Sequence, residues 1–85
     1  MQAIRTKAIA PTNTRGPRVA ASCDAGRVVI SWDHKLYIDD NHEAAANALA
    51  RKLGWLDNGW VLVGGGLGAE FVWVLVHPSR FAKEA

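Results

Sequence analysis

Eighty-five residues, 49% of them hydrophobic and four of them tryptophan, give one small domain the large side chains that a core needs. A lone cysteine, Cys23, excludes an internal disulfide and a cysteine-built zinc site, which suits a reducing, cytoplasmic setting. The first twenty residues hold Arg5, Lys7, Arg15 and Arg18 and no apolar run, which excludes a secretory signal or transmembrane helix there and argues against a membrane partner.

A net charge of +2 hides an asymmetry. Residues 1–38 carry six lysines or arginines against two aspartates, +4, while residues 39–85 carry four against six acids, −2. Such a division draws a polyanion toward one part of the surface without making the whole protein basic.

Residues 2–10, QAIRTKAIA, alternate with the period of a strand: Ile4, Thr6 and Ala8 lie on one side, Arg5 and Lys7 on the other. In PTNTRGPR the prolines restrict φ, Gly16 before Pro17 is pushed toward extended backbone, and Asn13 with the threonines favours local turns. That segment is a rigidified loop between two strands. PRVAASC resumes the alternation with Val19, Ala21 and Cys23 inward. A three-residue turn, Asp24-Ala25-Gly26 with Gly26 placed for positive φ, leads to the return strand RVVISWD, with Val28, Ile30 and Trp32 inward. Arg5, Lys7, Arg18 and Arg27 then share one sheet face.

DDNHEAAANALARKLGW is a helix of about three turns with a capping box formed by Asp40 and Glu43, and with Gly54 as a left-handed C-cap. Asp39 and Asp40 suit the positive end of its dipole, Arg51 and Lys52 the negative end. Ala45, Ala46, Leu49, Leu53 and Leu56 form its apolar face, opposite Glu43, Asn47 and Arg51. Beyond the turn signal Asp57-Asn58-Gly59, WVLV and FVWVLVH read as a second hairpin around a flexible loop, residues 64–70. Trp60, Leu62, Phe71, Trp73 and Leu75 fall on one side, and Val61, Val63, Val72, Val74 and Val76 on the other. Both faces want cover, so a homodimer, a partner protein on this hairpin, or sheet curvature that folds the edge inward is expected. Residues 77–85 are a loose tail in which Phe81 is the one anchor. The order β-β-β-α-β-β defines an α+β fold, an antiparallel sheet packed against one helix, as a single domain over residues 1–85.

Chemistry is sparse. His34, His42 and His77 with the neighbouring acids lack metal-ligand spacing, and His42 near the helix start reads as a capping or solvated residue. Cys23 alternates with core positions and behaves as a small hydrophobe. The glycine run at 64–68 has no Lys-Ser/Thr and leads into a strand, unlike a phosphate loop. No nucleophile has a credible base, so a non-enzymatic protein without metal or cofactor is expected. What remains is the basic face, Arg5, Lys7, Arg18 and Arg27, beside the loop donors Thr12, Asn13, Thr14 and Arg15. Forked guanidinium donors with short neutral ones suit the phosphates of DNA or RNA.

AIRTKAIAPTNTRGPRVAA and NHEAAANALARKLGW, spanning roughly residues 2 to 55, together resemble a group of small proteins without assigned activity encoded on bacterial phages, plasmids and integrated elements. Ala8 stands where that group suggests an aromatic residue, and Pro17 where it suggests a small polar one. The resemblance implies a mobile-element accessory protein, a class that includes anti-CRISPR-like inhibitors of host defence. It adds a second expectation, an inhibitor or adaptor that binds a host protein complex through the apolar second hairpin.

Overall fold

A computed structural model of the chain describes residues 3–56 and 59–76. Its elements are β1 (Ile4–Ile9), β2 (Arg18–Cys23), β3 (Gly26–Ser31), α1 (Ile38–Lys52), β4 (Val61–Leu67) and β5 (Glu70–Val76). All pairings are antiparallel, in the spatial order β3-β2-β1-β5-β4, and α1 covers the β1–β3 side of one face. This is the α+β architecture expected from the sequence. The first strand sits at the centre because β5 returns to its free edge, a pairing that no local signal encodes.

Alternation in β1 is the pattern that fixes the faces. Ile4 and Thr6 are buried while Arg5 and Lys7 are exposed. Registers Thr6↔Ala21 and Val19↔Ile30 carry the same inner face across β2 and β3, where it meets Ala45, Ala46, Leu49 and Ala50 of α1. Alanines let the helix backbone approach the sheet, and Leu49, fully buried, fills the space between them. Cys23, Val28, Ile30 and Trp32 are part-buried against this cluster, as their alternation requires.

Two turns differ from expectation. The β2–β3 turn has two residues, Asp24 and Ala25, because Gly26 pairs with Cys23 as the first residue of β3. Gly26 is outside the positive-φ set; it lies where a Cβ would meet Leu49 and Leu53 of the helix at 3.7 Å. The glycine run is likewise no loop: Gly64, Gly65 and Gly66 are strand residues of β4, and the turn is Gly68-Ala69 with Gly68 at φ +64°. Aromatic rings explain the substitution of glycine for side chains there. Gly64 pairs with Trp73 and Gly66 with Phe71, so each ring lies across a bare stretch of the neighbouring strand. Of the turn signal at 57–59, Asp57 and Asn58 lie outside the described residues, as does the tail at 77–85.

The helix is longer than expected, 15 residues, and its start is different. Tyr37 is the N-cap and makes no side-chain cap bond; Asp40 and Glu43 lie inside the helix and form no capping box. The buried Asn41 and His42 hold the start of the helix against the sheet, and it begins three residues before the position that the acidic pair marks, with Ile38 left exposed. Tyr37 is 84% exposed, so Tyr37→Asp sacrifices little packing and supplies the missing acceptor. We expect it to raise unfolding free energy by about 1 kcal/mol, read as a higher urea midpoint at unchanged m-value. The other end follows expectation. Gly54 at φ +74° donates to Arg51 C=O at 3.1 Å while Trp55 N–H reaches Ala50 C=O at 2.8 Å, the paired bonds of a Schellman motif.

Candidate nucleic-acid interface

On the sheet face opposite the helix, three cross-strand rows follow from register: Arg5–Ser22–Arg27, Lys7–Ala20–Val29 and Ile9–Arg18–Ser31. The four cations expected on one face are therefore on one face. Ala20 and Ser22 keep β2 low between the longer side chains of β1 and β3. Ala20 is buried although it belongs to the open face, because its neighbours close over it.

The cations are unequal. Arg5 lies 3.7 Å from the Glu70 carboxylate, across the β1–β5 boundary, and Lys7 pairs in register with the same acid. An exposed pair of that kind contributes about 0–1 kcal/mol and partly cancels the field of Arg5. Among the described residues, Arg15, Arg18 and Arg27 have no carboxylate within ion-pair distance. Uncompensated positive charge thus concentrates on the β2–β3 side.

Local chemistry fixes the loop that carries Arg15. Thr12 N–H donates to Arg15 C=O at 2.8 Å, and Arg15 N–H donates back to Thr12 Oγ1 at 3.1 Å. The Thr12 oxygen therefore serves the loop as an acceptor, whereas Asn13 and Thr14 stand exposed at its tip. Trp32 N–H to Pro17 C=O, 3.0 Å, extends the β2–β3 ladder by one rung and ties the loop to the end of β3. Arg15, Arg18 and Arg27 then line one open depression of about 720 Å³ together with Ser31, Trp32 and His34. Arg18 is half-buried, and its Nε is covered without a hydrogen-bond partner. A guanidinium held against the sheet in this way is incompletely solvated, and an anion compensates it better than it would a freely hydrated side chain.

The connection that carries His34 is held by the buried Asn41. Its Oδ1 accepts Asp33 N–H at 2.8 Å, and its Nδ2 donates to the carbonyls of Asp33, Leu36 and Tyr37 at 2.9, 3.4 and 3.2 Å. Asp33 Oδ1 also accepts Lys35 N–H at 2.9 Å, so the connection bearing His34 is bonded at both ends. Trp32 and His34 are the residues that sequence reasoning left out of the site. Trp32 reads as core by alternation and packs against the core, but it stands past the last residue of β3 and is also among the residues that line the depression.

His42 is a correction of another kind. It is 2% exposed rather than solvated, and Nδ1 lies 2.7 Å from Thr6 Oγ1, which also accepts Trp73 Nε1–H at 3.0 Å. Burial holds its pKa below the ordinary value of 6.5, with a hydrogen bond to the Thr6 backbone and the Asp39 carboxylate opposing. Packed edge-on to Trp32 and against Phe71 at 4.3 Å, it belongs to the core beneath the depression, not to its surface. Among the described residues no group of three His, Cys, Asp or Glu side chains converges on a metal-sized site, and no helix is long and apolar enough to cross a membrane.

No protein-family model, curated protein or solved structure matches the chain. The residues themselves carry the functional reading.

Proposed function

We propose that this protein is a non-enzymatic binding protein that contacts nucleic-acid phosphates through its open, basic sheet face and the loop at 12–15. The observation that carries the reading is the convergence of Arg15, Arg18 and Arg27 on one depression with no compensating carboxylate among the described residues. Lys7 and Arg5 extend the positive field along β1, and Asn13 and Thr14 offer neutral donors at the rim. Fluorescence anisotropy with labelled DNA and RNA, single- and double-stranded, tests it at low and moderate salt. Affinity should fall steeply with salt, and the double reversal Arg15→Glu/Arg18→Glu should abolish binding. Replacement of one phosphate-contacting arginine by alanine should lower the salt slope by about 0.9 on duplex DNA or about 0.7 on a single strand. Undiminished binding by the charge-reversed protein would end the proposal.

A second reading rests on the other half of the same face. Val61, Val63 and Val74 are 42%, 46% and 39% exposed on the β4–β5 hairpin, an apolar surface of the kind that partner proteins cover. Under this reading the protein is an accessory inhibitor or adaptor of a mobile element that binds a host complex, and a second copy of the chain competes for the same surface. A pull-down complex that survives nuclease treatment and is lost on Val63→Lys, with the protein itself monomeric, favours it.

A further inference from the structure

We infer that the ligand of the arginine depression is a single strand, seated with a base against Trp32 and its phosphates on Arg15, Arg18 and Arg27. This rests on the proposed phosphate-binding role and adds to it the strandedness of the nucleic acid. Three observations lead there. The depression is an open concavity of about 720 Å³. A duplex is a convex cylinder with its bases stacked inside, and it is read by elements that protrude into its grooves, not by a recess. A single strand has bases free to splay into such a recess.

The second observation is composition. Three guanidinium groups alone would serve any polyanion, but here Arg15, Arg18 and Arg27 line the depression together with Trp32, His34 and Ser31. Aromatic and guanidinium planes beside a phosphate track are the combination by which unpaired bases are held without sequence preference. The third is rigidity. Trp32 is anchored through its backbone to Pro17 and packed edge-on to His42, and the His34 connection is clamped by Asn41. A stacking surface held in place before the ligand arrives loses little side-chain entropy on binding.

The test compares a labelled oligothymidine decamer with a duplex of equal length, with heparin and polyglutamate as competitors. The decamer should bind at least about tenfold more tightly than the duplex, and Trp32→Ala should remove about tenfold or more from the decamer alone. Trp32→Phe should keep most of the affinity. Since Trp32 also packs against the core, a measurement on the unmodified chain accompanies the variants: a decamer bearing 5-bromodeoxyuridine is photocrosslinked and the adduct mapped by mass spectrometry. An adduct on Trp32 or His34 is expected; one on the β4–β5 hairpin overturns the inference. Equal binding of duplex and decamer, both lost with Arg15→Glu/Arg18→Glu, also overturns it and leaves the phosphate-binding role intact. If no nucleic acid binds, or polyglutamate binds more tightly than the decamer, both fall.

Discussion

Trp73→Ala should destabilise the protein by about 3–5 kcal/mol, a large part of the roughly 5–15 kcal/mol that a domain possesses. Trp73 is 5% exposed, lies beside Ile4 in register and presents its indole across β4 at Gly64. A Cβ added at Gly64 would stand 2.4 Å from Trp73 Cε3 and 2.6 Å from the Val72 carbonyl oxygen, separations that real side chains do not tolerate. Gly64→Ala should therefore cost about 1–3 kcal/mol by overpacking. The two substitutions should be less than additive, because removing the indole vacates the space into which the methyl projects. The Val72 oxygen stays, so the relief is partial. Urea titrations of the two single variants and the double variant measure this coupling, with Gly65→Ala as the control, since a Cβ there meets nothing within 4 Å. Strict additivity would mean that Gly64 is required for some reason other than Trp73.

Thr6→Val is the second expected large effect. Valine keeps the shape and removes the oxygen shared by His42 Nδ1 and Trp73 Nε1, leaving buried polar groups unpaired at about 1–3 kcal/mol each. His42, its partner, gives the protein a response to acid. His42 has its pKa lowered in the folded protein, so its contribution to stability is fully present above the unfolded value near 6.5. As pH falls below that value the unfolded chain binds a proton that the folded protein refuses, and stability declines until the folded pKa is reached. In His42→Asn, which keeps an acceptor near the Nδ1 position, the decline between about pH 7 and 5.5 should flatten. Thermal melts across that interval check this. An unchanged pH profile in His42→Asn would show that another group governs acid sensitivity.

The two network residues illustrate what a sequence hides. Thr6 was legible as inward-facing by alternation, but nothing local says that a threonine 36 positions before a histidine will bond to it. His42 stands in a polar run, DDNH, whose chemistry suggests a helix cap, yet the register of α1 against β1 and β2 buries it together with Asn41. Helix-capping signals are worth about 1 kcal/mol, and the burial of Asn41 and His42 with their hydrogen bonds to the 33–37 connection and to Thr6 outweighs them. The glycine run misled for a related reason: glycine marks loops, but it also marks strands crossed by a neighbour's ring, and only the pairing of β4 with β5 distinguishes these.

Of the candidate site, the shared face of Arg5, Lys7, Arg18 and Arg27 was legible because strand alternation has a period of two and survives any fold that keeps the strands. The neutralising role of Glu70 toward Arg5 was not, since it depends on β5 crossing to the far edge of β1. The same distinction separates the remaining properties. Element order, inward faces, the left-handed Gly54 cap and the segregation of charge were determined by the sequence alone, because each arises from interactions within a few residues or from a fixed backbone period. Strand order, the burial of His42, the place of Gly64 beneath Trp73 and the meeting of Arg15, Arg18 and Arg27 around Trp32 were decided by tertiary structure. Each of these depends on which distant segments pack together, and that follows from burial of the whole chain.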